Sequence, residues 1–187
     1  MLDLTAKAKE IFEQNKAVGW WDDPNRCIFT TIQLINTEIA EATEGERKNL
    51  MDDHLPHRKM GEVELADALI RALDLAGRVG TVFGSKDMER LIASAQLDDD
   101  YNRNIAAAHL KLTACVCALY DEIDHHDGYV FSVTANSVMM ILVACLIAVA
   151  TLYDYDIFAA MDEKLAYNKT RLDHKRSERA KANGKAF

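Results

Sequence analysis

The sequence predicts an all-α fold: a helical bundle built from a tandem duplicated helix-pair unit whose second copy is degenerate. Three observations predict it. Only 2 of the 187 residues are Pro and 8 are Gly, so obligatory helix breaks are few. Apolar residues recur at three-to-four spacing in several separate stretches, and no stretch alternates as a strand would. A shift of 77 residues lays one part of the chain over another. The 49% apolar content is enough for a real core and excludes a disordered or low-complexity chain.

A first helix is expected over about 2–16, closed by the break Gly19-Trp20-Trp21-Asp22-Asp23-Pro24. A long helix follows over about 25–44, with Ile28, Ile32, Ile35, Ile39 and Ala42 on one face. A polar connection of about 45–60 contains Pro56 and leads to a helix over about 61–79. That helix carries Val63, Leu65, Ala66, Leu69, Leu73 and Ala76, and a shorter helix near 86–96 ends at Leu97-Asp98-Asp99-Asp100. Under the 77-residue shift, Asp22-Asp23-x-Asn25-Arg26-x-Ile28 lands on Asp99-Asp100-x-Asn102-Arg103-x-Ile105. The same register puts Leu69-Ile70 on Leu146-Ile147 and Leu75 on Leu152. One all-α domain over 1–187 is expected, with a first repeat at 22–96, a second at 99–163 and a basic tail at 164–187.

The stretch Val138–Tyr153 is almost purely apolar, but at 16 residues it falls short of the roughly 20 that span a bilayer. Its flanks are acidic on both sides, without the Lys/Arg bias that orients a span, so it reads as a helix buried on all sides. The opening MLDLTAKAKEIFEQNK is charged throughout and does not read as a signal peptide. Cys27, Cys115, Cys117 and Cys145 sit in apolar stretches and read as reduced core thiols, so a cytoplasmic protein without membrane association is expected.

Net charge is −8, which argues against a nucleic-acid polymer as partner. The charge is uneven. Residues 164–187 carry a net +6, leaving −14 on the other 163 residues. An acidic body with a basic tail suits a protein that brings cations and anionic phosphates together.

The two repeats differ in their acids. Glu38, Glu41, Glu64, Asp67 and Asp74 fall on Cys115, Ala118, Ile141, Ala144 and Thr151. In the first repeat, Glu38-x-x-Glu41 and Glu64-x-x-Asp67 each place two carboxylates on one helical face, next to Ile35, Ile39, Leu65 and Leu69. Antiparallel packing of the two helices lets the pairs converge. Converging carboxylates repel strongly unless cations lie between them, and hard oxygen ligands favour Mg²⁺ or Mn²⁺. Two ordinary solvated helix faces are the competing reading of the spacing. Glu44, Glu46 and Glu62 read as solvated acids, and Asp74 as a fifth ligand or a support for the others. His54, His57, His125 and His126 fall in polar connections and read as solvated, while His109 reads as a satisfied core histidine. A ferritin-like di-iron site is excluded, because only Glu122-Ile-Asp-His125 has the Glu-x-x-His spacing.

The segments GWWDDP at 19–24, LINTEIAEATEGER at 34–47, DDHLPHRKMGEVELADALIRALDLAG at 52–77 and KLAYNKTR at 164–171 together resemble the MazG-like branch of the all-α NTP pyrophosphatases. That family's ExxE, spacer, ExxD motif matches Glu38-x-x-Glu41, 22 residues, then Glu64-x-x-Asp67. The resemblance implies Mg²⁺-dependent hydrolysis of nucleoside triphosphates to the monophosphate and pyrophosphate, with Mn²⁺ as a possible substitute. It implies metal ligation by Glu38, Glu41, Glu64 and Asp67, with Glu38 or Glu41 activating water. The K-x-x-Y-N-x-x-R tail matches Lys164, Tyr167, Asn168 and Arg171, and implies phosphate contacts by Lys164, Asn168 and Arg171. Trp20 and Trp21 offer rings to a base, with Trp21 the candidate contact and packing of the first helix the other reading.

Short members of the family pass almost directly from the acidic helices to the tail, whereas here an acid-free repeat intervenes. Members assemble from paired helical protomers, so a homo-oligomer, a dimer, is expected. The second repeat is expected to imitate a neighbouring protomer, leaving one site per chain. A catalytically inactive helical oligomerisation or interaction protein of the same fold is the alternative.

Overall fold

The computed structural model describes residues 2–23, 26–96, 98, 103–124 and 131–183. Pro24, Asn25, Leu97, the Asp99, Asp100 and Asn102 of the repeated motif, and His125 and His126 lie outside the described residues. Every named element among the described residues is helical: α1 Leu4–Ala17, α2 Ile28–Lys48, α3 Met60–Val79, α4 Ser85–Gln96, α5 Ile105–Asp124, α6 Val133–Leu152 and α7 Ile157–Thr170. A 3₁₀ turn at Leu172–His174 and a short α8, Arg176–Arg179, follow. The all-α expectation holds.

Local chemistry sets the ends. Asp3, Ser132 and Asp156 cap α1, α6 and α7 by accepting the backbone N–H of Ala6, Ala135 and Ala159 at 2.9–3.1 Å. Helix α2 runs past the expected stop at 44 and ends where Asn49 turns left-handed at φ 50°. Gly80 ends α3 in the same way at φ 77°. Between α2 and α3, Met51 and Lys59 form an isolated antiparallel bridge, and buried Asp52 accepts the N–H groups of His54 and Leu55. This tight return lays α3 antiparallel along α2.

Helix α3 is the centre of the molecule and packs against α1, α2, α6 and α7. Its Leu65, Leu69, Leu73 and Leu75 are fully buried. Helix α1 packs on α3 as α4 packs on α6, and across the middle α2 meets α5 while α3 meets α6. The 77-residue shift carries Ile28, the start of α2, onto Ile105, the start of α5. Helix α5 turns Ala108, Leu112, Val116, Leu119 and Ile123 inward, a stripe at three-to-four spacing. Its buried His109 places Nδ1 2.9 Å from the Thr43 hydroxyl of α2. That hydroxyl already donates to the Ile39 carbonyl, so the histidine Nδ1–H is the donor. Burial pushes this imidazole down to about 4, so it is neutral near pH 7.

Two expectations need correction. Helix α6 is not buried on all sides: 61% of its most apolar 18-residue stretch lies inside the protein, and Ile141 is 39% exposed. It is the one helix among the described residues long and apolar enough to cross a membrane, and its buried share is that of a core helix. Nor do the cysteines all enter the core. Cys145 is buried, Cys115 is half-buried, and Cys27 and Cys117 are exposed. Cys27 precedes the first turn of α2 in extended backbone, and Cys117 lies next to Val116 on the outer side of the α5 stripe. No disulfide links them.

Candidate functional site

Antiparallel α2 and α3 bring the acidic pairs together. One carboxylate oxygen from each of Glu38, Glu41 and Glu64 lies within 4.8 Å of the others, the span that the ligands of a single ion cover. Glu38 and Glu64 are buried, and Glu41 is exposed at the rim. Burial pushes the Glu64 carboxyl up to about 9; Asp67 and Glu38 add to the shift and Lys164 opposes it. Burial raises Glu38 as well, against the nearby Arg71 guanidinium. Burial leads both shifts because it disfavours the charged form, and the neighbouring carboxylates add to it.

Two basic residues answer that charge. Arg71, two turns beyond Glu64 on α3, donates from Nε to Glu38 Oε1 at 2.5 Å. Lys164 of α7 is almost wholly enclosed, with Nζ 3.1 Å from Asp67 Oδ2 and 3.9 Å from Glu64 Oε1. Asp67 therefore belongs to a pair with Lys164, whereas Glu38, Glu41 and Glu64 form the convergent triad. The motif spacing singles out Lys164 but not Arg71. The signal for Arg71 is its place in the series Glu64, Asp67, Arg71, Asp74, which shares one face of α3.

A cleft opens along that same face. Asp67, Ile70, Arg71 and Asp74 form its floor, Asn168, Arg171 and His174 one wall, and Asn15, Trp20 and Arg26 the other. Its lining brings the Arg26, Arg71 and Arg171 guanidinium groups together with the Asp67 and Asp74 carboxylates; Arg71 is paired with Glu38, and Arg171 forks onto Asp173 at 2.6 and 3.0 Å. Trp20 lines the cleft, whereas Trp21 turns inward. The Trp21 indole N–H donates to Asp74 at 3.1 Å, and its ring meets Phe12 edge-on, with Arg26 and Arg78 over its faces. Asn168, one turn beyond Lys164 on α7, and Arg171, in extended backbone just past the end of that helix, reach the cleft, whereas Lys164, expected to contact phosphate, is enclosed and does not line it. The basic tail folds back over the site. Arg176 pairs with Asp22 at 2.7 Å, and Arg179 donates to the Val18 carbonyl and sits over the Trp20 ring.

Two acids read as solvated, Glu62 and Glu46, are built into this support, while His54 and His57 are exposed as expected and touch it from outside. Glu62 is buried, pairs with Arg58 at 2.6 Å and accepts the Asp156 N–H at 3.0 Å. Glu46 accepts the Tyr155 hydroxyl. His57 Nε2 lies 2.7 Å from Glu163 Oε2, and His54 stacks near Tyr167. The reason is common to all four. The start of α7 and its middle pack against the α2–α3 turn, a contact between segments about 100 residues apart. Glu44 keeps its side chain partly in solvent, paired there with Arg47 and Lys48.

Asp74 lies in the cleft, outside the acidic triad. Burial pushes its carboxyl up to about 6, partly offset by the Trp21 and Asn15 hydrogen bonds and by Arg26 and Arg71. An acid whose folded value is raised lends stability below its unfolded value near 4, and that stability is lost as pH rises through about 6. Asp74→Asn keeps an acceptor for Trp21 and has no charge to bury. Its melting temperature should exceed that of the unaltered chain at pH 8, by the equivalent of about 3 kcal/mol at most, and at pH 4.5 the gap should shrink to about a third of that. An equal gap at both pH values would refute the burial of an ionised Asp74.

Comparison of the chain with protein families, with curated proteins and with solved structures finds no match.

Proposed function

We propose that the chain is a Mg²⁺-dependent nucleoside triphosphate pyrophosphohydrolase, converting an NTP or dNTP and water to the monophosphate and pyrophosphate. The observation that carries the reading is a juxtaposition: a convergent carboxylate triad adjoins a cleft lined by three guanidinium groups. The motif order at Glu38, Glu41, Glu64 and Asp67 agrees with it.

Glu38, Glu41 and Glu64 are the residues that fit a divalent ion, since three hard oxygens lie within one ion's reach. Asp67 stands beside them. When bound, the ion neutralises triphosphate charge and makes the α-phosphorus more electrophilic. Glu38 is fixed by Arg71 and enclosed, so its task is to hold. Glu41, at the exposed rim, has access to water and accepts the proton as the water oxygen attacks the α-phosphorus. The bond to the bridging oxygen breaks, and pyrophosphate leaves against Arg26, Arg71 and Arg171. Trp20 offers the cleft a flat wall for the nucleoside.

Residues 99–163 are read as taking the place of a neighbouring protomer's helix pair. The support is that like helices face one another, α2 against α5 and α3 against α6. One site per chain follows, within a homodimer.

A panel of canonical and modified NTPs and dNTPs, scored for both products with Mg²⁺, with Mn²⁺ and with chelator, tests the reading. Pyrophosphate should accumulate with either metal and stop with chelator. Folded protein that releases none across the panel would leave the helical interaction protein as the better reading. Titration with a non-hydrolysable nucleotide should saturate at one per chain, and saturation at one per two chains would remove the intramolecular pairing.

A further inference from the structure

The four motif acids do not form one symmetric cluster. Glu38, Glu41 and Glu64 converge, while Asp67 is drawn to the Lys164 ammonium at 3.1 Å. The same ammonium lies 3.9 Å from Glu64, so it bridges the triad and Asp67. Asp52 adds its field from the α2–α3 turn, with its own Oδ1 committed to two backbone N–H groups. The Lys164 side chain is 3% exposed.

Charge divides in the same way. The triad carries three negative charges when ionised for ligation, and Arg71 cancels one through Glu38. Two remain, which a single divalent ion balances. Asp67 and Lys164 balance each other. A second divalent ion between Glu64 and Asp67 would have to displace an enclosed ammonium and leave excess positive charge in a partly dry site.

Resting on the proposed metal centre, we infer that Lys164 is a permanent second cation, and that the protein on its own holds one divalent ion per chain. The ammonium supplies, from within the sequence, the charge between Glu64 and Asp67 that a second metal would otherwise supply. It lies one helical turn before Asn168 on α7 and is enclosed behind the cleft, whose lining Asn168 joins and Lys164 does not.

Two measurements on the full chain without nucleotide test this. The first is Mn²⁺ binding by calorimetry and electron paramagnetic resonance. The unaltered protein should bind one Mn²⁺ per chain, and Lys164→Gln should bind a second. The second is acetylation with a water-soluble amine reagent, read by peptide mass spectrometry. Lys164 should react about tenfold or more slowly than exposed Lys9, with and without Mn²⁺. Two Mn²⁺ in the unaltered protein, or Lys164 made reactive by Mn²⁺, would overturn the inference and leave the metal centre standing. A single ion in folded Lys164→Gln would also overturn it. No Mn²⁺ binding at all would instead remove the metal centre. Should Lys164→Gln fail to fold, the stoichiometry and protection of the unaltered chain still decide.

Discussion

Glu41→Gln slows pyrophosphate release, with an expected fall in turnover of about 10²–10⁴-fold, the usual contribution of a positioned general base. Loss of a charged metal ligand acts in the same direction. The substitution is nearly isosteric and falls at an exposed position of α2, so the bundle has no reason to unfold. Helicity by circular dichroism and the melting temperature should stay close to those of the unaltered protein. The measurement is product formation at saturating Mg²⁺ with the best substrate of the panel. Unaltered turnover in the purified variant would take Glu41 out of the reaction and with it the division of roles between Glu41 and Glu38. Glu38 makes a poorer test, because its buried carboxylate anchors Arg71 and its loss changes the packing of α2 on α3 as well as the chemistry.

Gly77→Ala destabilises the protein by about 1–3 kcal/mol, the range for overpacking a close contact. Local propensity points the other way. Alanine in a helix interior is favoured over glycine by about 1 kcal/mol. The reason for the reversal is the approach of α1. A Cβ at position 77 would lie 2.3 Å from the Ala8 carbonyl oxygen and 2.8 Å from Phe12 Cβ. The first of these atoms is helix backbone, so α1 as a whole has to move outward. Since α1 supplies Asn15 to the cleft and leads into Trp20, activity should fall along with stability. Thermal melting of the two proteins at one pH decides the sign. A higher melting temperature for Gly77→Ala would mean that α1 does not lie this close to α3.

The helices were legible because their signals are local. Ile32, Ile35, Ile39 and Ala42 share a face whatever surrounds them, and all four are buried. The acidic pairs were legible for the same reason, since an i, i+3 spacing fixes two side chains to one side of a helix. That Glu38 and Glu64 face inward also followed from their apolar neighbours, although Glu41 stays at the exposed rim. Glu62 shows where such reasoning stops. It stands among the same kinds of residues as Glu44, yet Arg58 and the Asp156 backbone draw it into the fold. Cys117 errs in the other direction, because an apolar neighbourhood in sequence does not say which side of α5 meets α2 and α6.

By itself, then, the sequence determined the secondary structure, the faces on which Glu38, Glu41, Glu64 and Asp67 lie, and the concentration of basic residues after 164. These are consequences of spacing along a helix of fixed pitch. Only the tertiary structure decided which charges meet. It separated Asp67 from the triad by giving it Lys164, and it set Arg71 against Glu38. It also turned Trp20 rather than Trp21 toward the cleft. Lys164 and Asp67 are almost a hundred residues apart in sequence. Electrostatic pairing depends on distance and on exclusion of water, and neither is set until α7 closes on α3.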